Sequence, residues 1–308
     1  MSNIDLIIIG AGPAGLTAAQ YGARANLNVL VIEQFAAGGQ VLNIDILENY
    51  PGNIGQKSGF EFSTDMHRQA ENFGASFLFG TVSSLKKDTD VFTVSLFDGT
   101  THTAKAVIIA TGAKPRLLDV TGEKKFSGKG VSYCATCDGN FFRGKKIFVV
   151  GGGDAACDEA RLLSRLTDKV VLIHRRESFR AQKALVQRTL ENPNIEVRYN
   201  TVIKEIKGVV KINAVVLENV NTGEVYEEQT DAVFVSVGTV PQASLAHDLG
   251  VKLDENGCII TDSKMAANIT GLYAAGDVRS GAFRQVVTAA ADGATAAHSA
   301  SGYIDENF

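Results

Sequence analysis

Proline is scarce in this 308-residue chain, five in all, which leaves no proline-rich linker or stalk to join its parts. Cysteine is scarce as well. Four residues in 308 do not make the framework of a secreted, disulfide-stapled protein. Long hydrophobic runs are missing: the early run Leu6 to Ile9 stops at Gly10, far short of the roughly 20 apolar residues that span a bilayer. No basic segment precedes that run, as a secretory signal would require. Neither sign of charge dominates. A net charge of −4 with mixed signs gives no electrostatic ground for a nucleic-acid or membrane partner. The expected location is the cytoplasm. The five histidines form no H-x₃₋₅-H pair, and Cys157 and Cys258 are far apart in sequence. No metal site is expected.

What is present is glycine, 31 residues, in a chain 45% hydrophobic and 21% charged, an ordinary balance for a globular protein with a real core. The length suggests two domains. The stretch Cys134-Ala135-Thr136-Cys137-Asp138 is a C-x-x-C followed at once by an acid. Residues at i and i+3 share a helix face, so these two sulfurs can meet within one turn. A disulfide there closes a very small loop and stabilises by only about 2 kcal/mol, against about 4.7 kcal/mol for a 100-residue loop. It is a weak staple and a good store for two electrons, since thiols in this spacing have depressed pKa values and exchange readily. Half a zinc site and two unrelated buried thiols remain the alternatives at this point. Cys157 and Cys258 read as buried structural thiols, the second in a strand.

Ile4 to Ile9 reads as a buried parallel strand. It runs into Gly10-Ala11-Gly12-Pro13-Ala14-Gly15, a small-residue helix to Ala25, and a second strand, Asn28 to Ile32, ending at Glu33. This is the dinucleotide fingerprint in its required setting. Gly10 makes the tight turn, Gly12 lets backbone approach a pyrophosphate, Gly15 packs helix on strand, and Glu33 is placed to accept from a ribose. Gly38-Gly39-Gln40 and Glu48-Asn49-Tyr50-Pro51-Gly52 form a turn-rich loop continuing through Asn53-Ile54-Gly55-Gln56-Lys57. Phe60 to Phe73 has helical periodicity, with His67 as a packing or solvent-facing residue. Ser76–Lys86 and Val91–Phe97, with the turn signal Asp98-Gly99 after them, predict a small meander. Lys105 to Ala110 is a strand running into Thr111-Gly112-Ala113.

A second copy follows: strand Lys145–Val150, Gly151-Gly152-Gly153-Asp154-Ala155-Ala156, a helix to Leu166 and strand Lys169–Ile173. Where Glu33 stood, this copy has His174-Arg175-Arg176, with Arg180 one turn on. A carboxylate there repels a 2′-phosphate, whereas guanidinium groups pair with it through charge-assisted bonds. The second site is therefore expected to prefer NADP(H). A meander (Asn194–Lys204, Ala214–Asn219, Glu224–Glu228) and a strand, Asp231–Val237, ending at Gly238, repeat the layout of the first half. After Pro241, a strand over Gly271–Ala275 ends in Gly276-Asp277-Val278, and Arg284-Gln285 opens an Ala-rich helix from Val286 to Ala300. His298 reads as a residue of that helix's C-terminal end. The fold class is α/β, two Rossmann-like dinucleotide-binding domains, each with a small β-meander. Two nucleotide sites and a C-x-x-C give a path for two electrons, from NADPH through FAD to a disulfide.

GAGPAG, GGQ, ENYPG, ATG, CATCDG, GGGDAA, HRR with FR behind it, AGDV and RQ occur here in the order and spacing of the low-molecular-weight thioredoxin reductases, which the whole chain resembles. The resemblance implies one domain inserted into the other, a discontinuous FAD domain (1–113 and 243–308) around an NADPH domain (114–242) carrying the redox pair, a homodimer, and rotation of one domain against the other. It implies thioredoxin as the protein substrate. On the FAD side it implies Gly10, Gly12, Pro13, Ala14, Gly15, Glu33, Gly39, Gln40 and Asn49, then Val82, Ala110, Thr111 and Gly112. Gly276, Asp277, Arg284, Gln285 and Val286 complete that set. On the NADPH side it implies Gly151, Gly153, Asp154, Ala155, His174, Arg175, Arg176, Arg180 and Gly238. Cys137 is implied as the flavin-facing thiol, Cys134 as the thiol that attacks the partner, and Asp138 as the acid–base group. Ala and Cys in GGGDAAC and the loop Asn53–Lys57 depart from the family pattern. A reductase of another redoxin or peroxiredoxin system and a low-turnover redox-sensing flavoprotein are the alternatives.

Overall fold

A computed structural model of the chain describes residues 4–44, 47, 49–55, 57–247 and 249–308. Glu48 and Gln56 of the loop named above lie outside the described residues. The chain divides into two units, one of Met1–Lys114 with Val240–Phe308, the other of Pro115–Thr239.

The first unit opens with β1 (Ile4–Ile9), α1 (Pro13–Arg24), β2 (Val29–Glu33) and α2 (Gly59–Asn72). From Leu6 onward β1 is apolar because both its faces are covered there, and Leu6, Ile7 and Ile8 are completely buried. α2 starts at a capping box: the Ser58 hydroxyl accepts the Glu61 N–H, and the Glu61 carboxylate accepts the Ser58 N–H. His67, on α2, packs edge-on against Phe77. β3 (Ser76–Phe79), β4 (Val82–Asp88), β5 (Val91–Leu96) and β6 (Thr101–Ile109) follow. The stretch Ser76–Lys86, read above as one arm of a meander, breaks at Gly80. β3 joins the parallel layer beside β2, and β4 turns back to pair with β5. β6 carries both layers: along one edge Thr101–Ala104 pair antiparallel with β5, while its other edge lies parallel to β1. The sheet order is β3-β2-β1-β6-β5-β4. β7 (Ala113–Pro115) leads out of the unit.

The second unit contains α3 (Glu123–Phe126), β8 (Val131–Ser132), α4 (Ala135–Asp138), β9 (Ile147–Gly151), α5 (Asp154–Leu163), β10 (Val170–Ile173), α6 (Lys183–Leu190) and β11 (Ile195–Arg198). Here too a predicted meander arm, Asn194–Lys204, is two strands. The chain turns at Asn200, with φ of 52°, a left-handed conformation that asparagine tolerates. β12 (Thr201–Gly208), β13 (Ile212–Asn219) and β14 (Val225–Gln229) make the antiparallel meander, and β15 (Ala232–Ser236) returns to the parallel sheet. That sheet has the order β11-β10-β9-β15-β8. Its first four positions repeat the β3-β2-β1-β6 order of the first unit.

β16 (Thr239–Pro241) pairs with β7, so the two connecting stretches run side by side. The Thr111 hydroxyl donates to the Gln242 carbonyl at 2.6 Å and the Gln242 N–H to the Gly112 carbonyl at 2.9 Å. These bonds hold Gln242 to the first unit, and the units exchange at 114/115 and 239/240 beside the expected 113/114 and 242/243. α7 (Ser244–His247), β17 (Leu272–Ala274), a tight turn over Gly276–Val278 and α8 (Val286–Asn307) close the chain. β17 takes the second half of the β6 edge, beside Val107–Ile109. α8 runs past the expected end at Ala300, because Ile304 is still a core residue. His298 is therefore an exposed mid-helix residue and not a terminal one. Cys258 is buried as expected, but in a turn and not a strand, with its N–H bonded to the Asp254 carboxylate. Among the described residues no helix is long and apolar enough to cross a membrane.

Asp292 of α8 is buried, and its carboxylate accepts from Arg279 Nε at 2.6 Å and Nη2 at 2.8 Å, and from the Gly276 N–H at 3.2 Å. Removing it strands a mostly buried guanidinium and a buried N–H. Asp292→Ala is expected to destabilise the protein by about 3–5 kcal/mol in urea denaturation. A loss below about 1 kcal/mol would refute this account of the turn.

Candidate functional site

Cys134 and Cys137 form a disulfide at opposite ends of the first turn of α4, with their Cα atoms 5.3 Å apart. The Cys137 N–H donates to Cys134 Sγ at 3.2 Å. Asp138 follows in the same turn. The buried Ser132 hydroxyl accepts the Cys134 N–H at 3.1 Å and donates to Asp138 Oδ2 at 2.6 Å. Burial pushes the Asp138 carboxyl above its ordinary range, and the Ser132 bond opposes part of that rise. The raised carboxyl lies in the same turn as the two cysteines.

Three further residues support this turn, and the sequence reading missed all of them. Ser132 lies two residues before Cys134 and ends β8. Glu123 is only 1% exposed, yet its carboxylate is satisfied by the N–H groups of Leu118 and Asp119 and by the Tyr133 hydroxyl at 3.1 Å. Burial and the adjacent Glu123 carboxylate push the Tyr133 hydroxyl upward. Glu159 of α5 faces the Ala135 N–H, in the redox turn itself, and the Ser236 hydroxyl, both of which oppose part of the rise that burial imposes on it. Its second carboxylate oxygen is shut off from solvent with no hydrogen-bond partner. Burial pushes this carboxyl up to about 7. Only Ser132 had a local signal, a small hydroxyl residue beside the motif. Glu123 and Glu159 meet the motif through folding, not spacing.

In the first unit the glycine turn has the geometry its sequence requires. A Cβ on Gly10 would lie 2.5 Å from the Ala110 carbonyl oxygen, and one on Gly15 would overlap the Gly10 carbonyl. Gly12 faces open space, so its backbone is free to receive a ligand. α1 begins at Pro13 with no side-chain cap, which leaves the N–H groups of its first turn for an anion. Glu33 Oε2 accepts the Ala11 N–H at 2.7 Å and Oε1 the Phe35 N–H at 3.1 Å, which orients the carboxylate. Asn49 donates to Gln285 at 3.0 Å, joining two candidate residues 236 positions apart. Gln40, beside Gly39, donates to the Ala113 carbonyl. Ala14 packs on Gly276, and Thr111 and Gly112 hold Gln242 as described. Asp277 is largely buried and pushed upward by that burial, with Arg284 opposing it. Arg284, at φ 60°, and Val286 flank Gln285 at the start of α8. Val82 begins β4 and packs on the core beneath it. An FAD fits these donors and this open backbone.

The second unit repeats the turn with other partners. A Cβ on Gly151 would overlap the Ser236 carbonyl, while Gly153 faces open space ahead of α5. Asp154 Oδ1 accepts the Gln182 N–H at 2.8 Å, and Ala155 is exposed in the first turn of α5. Arg175, Arg176 and Arg180 are exposed, whereas His174 is buried. Gly238 has φ of 104° and lies beyond β15. A phosphorylated dinucleotide fits three free guanidinium groups beside an open glycine turn.

Comparison with known proteins points the same way. The family model described as pyridine nucleotide-disulphide oxidoreductase matches residues 4–293. The chain is 52% identical over 304 residues to a thioredoxin reductase of Treponema pallidum, covering 99% of this chain and 98% of that one. It is 43% identical to the thioredoxin reductase of Bacillus subtilis, covering 98% and 95%. The crystal structure of thioredoxin reductase from Streptococcus pyogenes superposes with a TM-score of 0.92 at 43% identity, covering 99% of each chain.

The raised Glu159 carboxyl has a pH signature. Between its ordinary value of 4.5 and about 7, the folded chain holds a proton that the unfolded chain has released. Stability therefore falls as pH rises through that window. Glu159→Gln, neutral throughout, should match the wild type at about pH 5 and exceed it by up to about 3 kcal/mol at about pH 8. Urea midpoints that stay parallel across this range would contradict the assignment.

Proposed function

The chain belongs to the pyridine nucleotide-disulphide oxidoreductase family, and on that premise we propose how its residues share the work of reducing thioredoxin. It is an FAD-dependent thioredoxin-disulfide reductase driven by NADPH. A bound FAD would supply the two-electron chemistry that links a nicotinamide hydride donor to a disulfide. In our reading FAD belongs to the first unit, where Gly10, Gly12 and Gly15 bring backbone up to its pyrophosphate and Glu33 accepts from its ribose. Asn49, Asp277 and Gln285 face the rest of that cofactor. NADPH belongs to the second unit, with Gly151 and Gly153 at its pyrophosphate and Arg175, Arg176 and Arg180 at its 2′-phosphate.

One observation carries this reading. The second unit alone holds the Cys134–Cys137 disulfide and an Asp138 carboxyl raised by burial in the same body as an arginine-flanked glycine turn. Two electrons and two protons open that disulfide to two thiols. Cys134 then attacks one sulfur of the disulfide of thioredoxin, and Cys137 resolves the mixed disulfide, which re-forms the Cys134–Cys137 bond. Asp138 gives the departing thiolate its proton, for which a raised pKa suits it. The family likeness supports a homodimer as the working assembly. A reducing interior, the cytoplasm, is where an NADPH-driven dithiol is kept supplied.

The direct test is NADPH oxidation by the purified protein with oxidised thioredoxin as acceptor, run beside an NADH control. Turnover with NADPH is expected, and its absence with every thioredoxin offered would end the proposal. Cys137→Ser is expected to keep bound flavin and its NADPH bleaching yet lose thioredoxin reduction; undiminished turnover would refute the electron route. Arg175 and Arg176 changed together to Ala should raise KM for NADPH about ten- to a hundredfold, the worth of roughly 1.5–3 kcal/mol for a charged hydrogen bond. Equal use of NADPH and NADH by the wild type would overturn the role given to these arginines.

A further inference from the structure

The two glycine turns differ at one inner position. β1 pairs Ile9 with Ile32 of β2, and β9 pairs Val150 with Ile173 of β10. Gly151-Gly152-Gly153 therefore stands where Gly10-Ala11-Gly12 stands in the first unit, and His174 stands where Glu33 does. Ala11 has glycine, Gly152, as its counterpart. The cause is steric. A Cβ on Gly152 would fall inside the His174 imidazole, overlapping Cε1 and Nδ1 and lying 2.6 Å from Nε2.

His174 is 6% exposed, so its ring is walled in behind the turn. The Ser178 backbone faces the ring, and Nε2 is buried with no hydrogen-bond partner among the described residues. Phe179 flanks the ring, with centroids 5.5 Å apart. The Arg180 N–H donates to the Gly152 carbonyl at 2.7 Å. The imidazole thus touches the glycine turn on one side and the Ser178–Arg180 loop on the other. Burial lowers its basicity first, and Arg176, Arg180 and Arg175 lower it further, so the ring is a neutral spacer among cations.

We propose that His174 is a positioning residue for the dinucleotide and not a ligand of its 2′-phosphate. Seated on Gly152, its ring sets the spacing between the turn that receives the pyrophosphate and the loop that carries Arg180. Phosphorylated and unphosphorylated dinucleotides then both depend on it through the glycine turn, whereas Arg175 and Arg176 serve the 2′-phosphate alone. The inference rests on reading this unit as the NADPH site.

The test is calorimetric titration of NADP⁺ and NAD⁺ into the FAD-loaded protein, with steady-state KM for NADPH and NADH alongside. His174→Ala should weaken both nucleotides about tenfold and leave their ratio within about threefold of the wild type. The Arg175→Ala/Arg176→Ala protein should lose NADP⁺ and keep NAD⁺. Gly152→Ala should weaken both nucleotides more than His174→Ala does, and Gly152→Ala/His174→Ala should recover to the level of His174→Ala alone, since the added methyl then has room. Loss of NADP⁺ without loss of NAD⁺ in His174→Ala would make it a phosphate ligand and overturn the proposal. So would unchanged affinity for both, or a double variant weaker than either single one. Should Gly152→Ala not fold, the His174→Ala ratio decides by itself. A wild type that binds no NADP⁺ would instead remove the reading of the site on which the inference stands.

Discussion

Close backbone approach at the first strand–helix turn governs the first unit. A methyl on Gly15 would overlap the Gly10 carbonyl, one on Gly10 would press on the Ala110 carbonyl, and one on Gly293 would overlap the Ala14 carbonyl. Backbone cannot move aside as a flexible side chain can, so these positions fix α1 against β1 below and α8 beside it. The open face at Gly12 follows from the same arrangement, because the turn is packed from beneath and bare above. An open backbone turn and a tightly packed core are here one feature. The run of small residues along α8, including Ala289, Ala290, Gly293, Ala296, Ala297 and Ala300, is the matching half of that contact.

The redox turn is held by a different means. Its disulfide closes a loop too short to stabilise the fold much, about 2 kcal/mol on the chain-entropy estimate. Opening and closing it during turnover therefore leaves the unit standing. What keeps the sulfurs in place is polar: Ser132 bridges the Cys134 N–H and Asp138, Glu159 faces the Ala135 N–H, and Glu123 anchors Tyr133. Glu123 shows the energetics most clearly. A carboxylate almost fully removed from water is tolerable because three donors converge on it. Glu159 has a bare buried oxygen, and the fold answers by raising its pKa.

Most of the framework was legible in the sequence, since the parallel strands advertise burial through unbroken apolar runs and the turns through glycine. β1, β2, β9 and β10 all fall where their patterns put them. The errors share a cause. Ser76–Lys86 and Asn194–Lys204 each look like one alternating strand, and only pairing with different neighbours splits them, β3 and β11 to the parallel layer, β4 and β12 to the meander. α8 outran its expected end because burial of Ile304 sustains a helix that local composition does not demand. Ser132, Glu123 and Glu159 were overlooked because no motif spacing links them to the cysteines. Gly152 was visible as a third glycine, but its reason lies 22 residues on, in His174.

That last pair bears on how one turn came to serve two chemistries. In the first unit the acid at the strand end is bound to the turn through the Ala11 N–H, so Glu33, which we propose faces a ribose, is a structural group as well. Charge reversal there would release a backbone donor along with the repulsion. In the second unit the strand-end residue supplies no charge; the buried ring of His174 takes the space, and the cations stand one and two residues further on, exposed. The two sites thus differ in where the turn is braced as well as in the sign of the field at the ribose. On our reading, a change of cofactor preference moves brace and charge together in the first unit, where Glu33 supplies both, whereas in the second the brace, His174, and the charges, Arg175 and Arg176, are separate residues.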